Sequence, residues 1–106
     1  MPFAALACTT HDPHGAILDL ATDEILDDVA AMFAHVAIVC SAETDSRAEP
    51  ILTRQAFSVR RLSAGRLELY QTALRAGIES ADYVFYADLD RLLHWQRTYP
   101  LELRRV

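Results

Sequence analysis

Glycine is scarce in this chain, with 3 in 106 residues. None of the glycine patterns that cradle a phosphate or present a nucleophile occurs: no Gly-x-Gly-x-x-Gly, no Gly-rich loop ending in Lys-Ser/Thr, no Gly-x-Ser-x-Gly elbow. Dinucleotide binding of the usual kind, P-loop hydrolysis and serine-hydrolase chemistry therefore lose support. Cysteine is equally sparse, and Cys8 and Cys40 each lie in an apolar, strand-like run where the thiol acts as a small hydrophobe. Two buried thiols suggest a reducing cytoplasm rather than a disulfide framework. No apolar run approaches the length needed to span a bilayer, so no transmembrane segment is expected. The net charge of −5 leaves no concentrated basic face for nucleic acid, Arg60, Arg61 and Arg66 forming only a small cluster. A charged leader is missing before the apolar Met1 to Cys8, which reads as a first strand and not as a signal peptide. No internal repeat or low-complexity tract is evident.

What is present describes a folded domain. Hydrophobic residues make up 52% and charged residues 24% of the chain, a globular balance. At 106 residues there is length for one core, so a single α/β domain over 1–106 is expected. Phe3 to Cys8 reads as a buried strand that opens into the polar turn Thr9-Thr10-His11-Asp12-Pro13-His14-Gly15. Thr22 is a plausible N-cap, with Asp23 and Glu24 in the first turn and Ile25, Leu26, Val29, Met32 and Phe33 on one apolar face, predicting a helix to about Ala34. Val36 to Cys40 is a second buried strand, and strand, helix and strand in that order make a right-handed βαβ unit.

The second half repeats the alternation. Ser41 to Ile51 reads as an acidic loop, Leu52 to Gln55 as a short helical turn, and Phe57-Ser58-Val59 as a weak edge strand. Ser63 is the expected cap of a helix to about Ser80, with Leu67, Tyr70, Leu74, Ile78 and Ala81 at helical spacing. Gly77 weakens that helix, and close packing of helix on sheet is the preferred reason. Tyr83 to Ala87 then reads as a strand buried on both faces, followed by the amphipathic Arg91 to Tyr99, with Pro100 suited to the first turn of a further helix from Leu101.

The stretch that carries chemistry is Ala87-Asp88-Leu89-Asp90. A parallel strand delivers its carboxyl end to the crevice where open α/β sheets place ligands. Two residues apart in extended chain, Asp88 and Asp90 would point to the same side. Carboxylates that close repel unless a cation lies between them, so the spacing suggests Mg²⁺ or Mn²⁺ held against a phosphate. The plainer alternative is a pair of capping carboxylates with Arg91 or a helix N-terminus as partner. His11, Asp12 and His14 invite a zinc reading, but solvated turn residues are the commoner outcome. Glu43 and Asp45, after the second strand, could accept from a base or ribose or simply face water. His35 is expected at a helix end, and Trp95 and Tyr99 as ligand-stacking, core or subunit-contact residues.

This order of elements, ending in Ala81-Asp82-Tyr83-Val84-Phe85-Tyr86-Ala87-Asp88-Leu89-Asp90, resembles the nucleotide-sugar-binding half of A-type glycosyltransferases. The resemblance implies a three-layer α/β/α, Rossmann-like, mostly parallel sheet. It also implies a nucleotide-diphosphate sugar as ligand and an Asp-x-Asp motif at Asp88 and Asp90 that holds Mn²⁺ or Mg²⁺ on the donor diphosphate. The places corresponding to base and ribose contacts are Thr9, Thr10 and Asp12 in the first loop and Glu43 to Asp45 after the second strand. Where that family reads Asp-Asp-Gly-Ser, this chain reads Ala42-Glu43-Thr44-Asp45-Ser46, and the family's acceptor half lies downstream of the metal motif. The chain is thus expected to be the donor half of a longer enzyme or a stand-alone remnant. A rival is a non-catalytic α/β module that self-associates through exposed apolar faces as a homo-oligomer. A phosphatase of the haloacid-dehalogenase type, suggested by Asp88-Leu89-Asp90, is disfavoured because that loop should open its fold.

Overall fold

The computed structural model describes residues 3–99, so the expected helix from Leu101 lies outside the described residues. Four strands, β1 (Ala4–Thr10), β2 (His35–Ser41), β3 (Ser58–Leu62) and β4 (Tyr83–Asp88), form one parallel sheet in the order β3-β2-β1-β4. Between them run a 3-10 turn (Ala16–Asp19) and helices α1 (Asp23–Met32), α2 (Ala48–Thr53) and α3 (Arg66–Ser80), and α4 (Leu89–Thr98) follows β4. Because parallel crossovers are right-handed, the direction of travel along the sheet decides which face each helix covers. The chain moves one way from β1 to β3, and Leu26 and Val29 of α1 and Leu52 of α2 share one core with Leu6, Cys8 and Ile38. It then returns across the sheet to β4, and Leu69 and Ala73 of α3 pack against Ala7 and Val39 on the opposite face. The result is the expected three-layer α/β/α, Rossmann-like sheet, here wholly parallel.

Local chemistry explains most boundaries. The Thr22 hydroxyl accepts from the Ile25 amide at 3.3 Å, capping α1, and Ile25, Leu26, Val29, Met32 and Phe33 are all buried as their spacing requires. α1 stops at Met32, and His35 is the first residue of β2, paired with Ala5, instead of a helix end. The expected loop after β2 is partly helical, since α2 begins at Ala48 and buries Ala48 and Leu52.

Three expectations change in the second half. α3 is capped by Gly65 with no side-chain hydrogen bond, so Ser63 is not its cap. The buried ridge of α3 is Leu69, Ala73 and Gly77, while Leu67 and Ile78 are each 66% exposed. A helix lying across the middle of a sheet needs small residues at its closest approach, and a Cβ on Gly77 would stand 2.9 Å from Val84 Cγ1. β4, expected to be buried on both faces, lies at the edge of the sheet among the described residues, with Tyr83 64% exposed.

Cys8 and Cys40 are both free and buried. Burial, reinforced by the Asp88 charge, pushes the Cys8 thiol far above its ordinary range, and burial together with Glu49 pushes Cys40 up to about 11, Arg61 opposing. The thiolate is the nucleophile, so neither should react in the native protein at neutral pH. A thiol-reactive dye should label neither cysteine until denaturant is added and then label both; rapid labelling of the native chain would contradict the packing.

Candidate functional site at the carboxyl edge of the sheet

β1 leads to β2 on one side, while β4 arrives from the other, so the strand order reverses between β1 and β4. Ligands of open α/β sheets bind outside the carboxyl ends at such a point. Here it opens into a crevice of about 640 Å³, with Thr9, Thr10 and His11 from the end of β1, Ser41 and Glu43 from the end of β2, and Tyr86 and Asp88 from β4. Arg66 and Leu69 wall it from α3, and Asp90 and Arg91 from α4. Five of the residues singled out from the sequence, Thr9, Thr10, Glu43, Asp88 and Asp90, are therefore brought together.

The two carboxylates line one crevice by a route the sequence did not suggest. Asp88 is the last residue of β4, and α4 begins at Leu89 with no intervening loop, so Asp90 lies in the first turn of a helix instead of in extended chain. Parallel register sets Asp88 directly beside Thr9. Tyr86, two residues earlier on the same face, reaches the same level. Its hydroxyl lies 2.6 Å from Thr9 Oγ1 and donates to Asp88 Oδ1 over a long 3.4 Å. A tyrosine has one proton, so when Tyr86 donates to Asp88 the Thr9 hydroxyl must donate to Tyr86. Burial raises the Tyr86 pKa, with the Asp88 charge adding and the Thr9 contact opposing, so the phenol stays protonated at neutral pH. Arg91 Nε sits 3.8 Å from Asp88 Oδ2 with both groups well exposed, a weak and displaceable pair.

Asp12 and Asp45 are engaged within the loops instead, Asp12 buried and Asp45 paired at the surface. Asp12 is buried, and its carboxylate accepts from the amides of Ala16 at 2.8 Å and Ile17 at 3.0 Å, anchoring the 3-10 turn. Its carbonyl accepts from the Asp45 amide at 2.8 Å, tying the loop after β1 to the loop after β2. Thr44 completes the tie, donating to the Thr10 carbonyl at 3.3 Å, accepting from the Asp12 amide at 3.2 Å and touching Ser41 Oγ at 3.0 Å. Ser41 Oγ in turn meets His11 Nδ1 at 2.8 Å. Arg61, on β3, holds the same loop from below through the carbonyls of Ser41, Ala42 and Thr44 and pairs with Glu49. Gly15 takes φ 74°, which lets the Asp12-Pro13-His14-Gly15 turn close.

Asp45 is gripped by Arg47, whose Nε and Nη2 bond its two oxygens at 3.0 and 2.8 Å. The Arg47 side chain and amide hold the Asp45 pKa down to about 2, against 3.8 for a free group. A depressed carboxylate stabilises the fold above its unfolded pKa and loses that contribution as pH falls through its folded value. The pair should thus be intact above about pH 4 and lost toward pH 2. A carboxyl-detected NMR titration should place the Asp45 midpoint near 2; a midpoint near 3.8 would show that the pair does not form in solution. The pair is exposed, so its effect on overall stability should be small.

Among the described residues, no group of three or more His, Cys, Asp and Glu side chains is placed to hold a metal. That arrangement does not suit zinc on His11 and His14, which wants a closed tetrahedral set. Mg²⁺ and Mn²⁺ sites commonly use only one or two protein carboxylates, with water and substrate phosphate completing the coordination. Asp88 and Asp90 supply two hard oxygen donors on one crevice.

Arg66, Arg91, Ser41 and Tyr86 are among the lining residues that sequence reasoning missed as ligand contacts. One signal was available: Arg66 and Arg91 occupy the first turns of α3 and α4, where the helix dipole disfavours positive charge. A cation kept there is suited to an incoming anion. Comparison with protein-family models, with curated proteins and with solved structures found no match.

Proposed function

We propose that the crevice binds the diphosphate of a nucleotide-diphosphate sugar through Mg²⁺ or Mn²⁺ on Asp88 and Asp90, and that the chain is the donor-binding part of a glycosyltransferase-like protein. The observation that carries this reading is that both carboxylates line one crevice at the point where strand order reverses, together with Thr9, Thr10 and Glu43. When bound, the cation supplies Lewis-acid stabilisation to the diphosphate leaving group. The chain's own residues do the rest. Arg66 and Arg91 offer guanidinium forks to phosphate oxygens. Glu43 accepts from ribose hydroxyls, and Thr9 and Ser41 offer hydroxyls along the floor. Asp12 and Asp45 act through the loops they hold. A cytoplasmic location is part of this proposal; the free, buried Cys8 and Cys40 support it, since a reducing compartment keeps them as thiols.

Two carboxylates without a third make the metal and the nucleotide mutually dependent. In electron paramagnetic resonance, the free Mn²⁺ signal should persist when protein is added alone and fall when UDP or GDP is added as well. A free-ion signal that protein never reduces beyond the effect of nucleotide alone would refute the reading.

A second reading, a non-catalytic module that self-associates, draws on β4. The outer edge of that strand has no paired strand among the described residues, and Phe3 and Tyr83, ring centroids 5.7 Å apart, are exposed at its start. Sedimentation analysis separates the two: a concentration-dependent dimer with no nucleotide binding favours this second reading. No described helix is long and apolar enough to cross a membrane.

A further inference from the structure

Asp88 stands at the N-cap of α4, where an aspartate ordinarily accepts from an amide of the first helical turn, yet its side chain makes no such bond. The carboxylate meets two other donors instead. The Tyr86 hydroxyl reaches Oδ1 at 3.4 Å from the same strand, and Arg91 Nε faces Oδ2 at 3.8 Å from the first turn of α4. Both oxygens of Asp88 are thus attended in the free chain. The two donors differ in how firmly they are held, since Tyr86 is tied to Thr9 at 2.6 Å, whereas the Arg91 side chain is 84% exposed. Asp88 is the one ion-pair partner of Arg91 among the described residues. The helix dipole works against a positive charge in that turn, so a stronger anion nearby would draw the guanidinium away.

We infer that Arg91 is the counterion that closes Asp88 to a free divalent cation and passes to phosphate when cation and nucleotide enter together. The inference rests on the donor reading above and names the residue that couples the two ligands. A divalent ion arriving alone at Asp88 and Asp90 is repelled by the guanidinium beside Asp88 and leaves that guanidinium without an anion. With a nucleotide present, the same guanidinium finds phosphate oxygens that accept its paired N–H donors. Repulsion is exchanged for charge-assisted hydrogen bonds. What Arg91 takes from the affinity for free cation therefore reappears as coupling between cation and nucleotide, and that coupling acts equally on both ligands. The ion pair itself is exposed and contributes little to stability, so removing it should leave the fold intact.

The free Mn²⁺ signal in electron paramagnetic resonance should be followed on the full chain at low ionic strength, first without nucleotide and then with UDP or GDP. Without nucleotide, Arg91→Gln should bind Mn²⁺ about tenfold more tightly than the wild-type chain, the scale of one unit charge acting on a nearby divalent ion across exposed surface. Arg91→Lys keeps the charge and should stay near the wild type. Arg97→Gln removes a charge from the last turn of the same helix and should stay there too. In Arg91→Gln the factor by which nucleotide tightens Mn²⁺ binding should shrink at least as far as the affinity for Mn²⁺ alone rises. An unchanged Mn²⁺ affinity in Arg91→Gln would overturn the inference, and so would an equal gain in Arg91→Lys or Arg97→Gln. The nucleotide-free measurements read Arg91 by itself. Failure of the donor reading is seen elsewhere, in a wild-type chain whose uptake of Mn²⁺ nucleotide does not increase, so the two failures are distinguishable.

Discussion

Replacing Gly77 with leucine is expected to destabilise the fold by about 3 kcal/mol, at the upper end of what overpacking a close contact costs. A β-carbon at this position would stand 2.9 Å from Val84 Cγ1, 3.3 Å from Val84 Cγ2 and 3.5 Å from Ala7 Cβ. Val84 is β-branched and stiff at χ1, and β4 behind it is fixed by its register with β1. The helix therefore has to lift from the sheet. The gain in helix propensity on losing glycine, about 1 kcal/mol, offsets only part of the strain. Urea unfolding followed by circular dichroism should show the midpoint fall by roughly 1 to 2 M with an unchanged slope. Leu67→Ala, on the solvent side of the same helix, should shift it little. If Gly77→Leu were neutral and Leu67→Ala damaging, α3 would be rotated from the face described.

Asp88→Asn and Asp90→Asn are each expected to weaken metal-dependent UDP or GDP binding by about tenfold to a hundredfold, the scale on which losing a group that holds or orients a metal site costs affinity. Neither should unfold the chain. Asp90 is exposed at the start of α4, and Asp88 has only the 3.8 Å pair with Arg91 and the 3.4 Å contact from Tyr86. The amide variants keep shape and lose charge, so a drop in affinity reports the cation. The alternative of carboxylates that merely cap α4 makes the opposite statement. In that case stability would fall and binding, if any, would not.

How much of this was legible depends on which residue did the work. The continuous apolar runs of β1 and β2 and the Thr22 cap of α1 are local signals, and they placed those elements to within a residue or two. The face of α3 was not legible by counting large apolar residues, because the sheet selected the small ridge Leu69, Ala73 and Gly77 for close approach and left Leu67 and Ile78 in water. Gly77 itself was the clue. The burial of β4 was overestimated because aromatic and β-branched content does not encode strand order, and the return crossover put that strand at the edge. At the site, strand-end placement identified Thr9, Thr10, Glu43, Asp88 and Asp90 as neighbours, since every parallel strand delivers its carboxyl end to one side. Asp12 and Asp45 shared that position, yet their short side chains bond nearby backbone amides, as Asp in turns commonly does.

The central claim is that this edge of the sheet is a metal-dependent diphosphate site. It is tested most directly by isothermal titration of the chain with UDP and GDP, each with and without Mn²⁺, repeated on Asp88→Ala and Asp90→Ala. Binding of at least one nucleotide that needs both the cation and the two carboxylates is the predicted result. No binding in any combination, or binding indifferent to Mn²⁺ and to both substitutions, would contradict it.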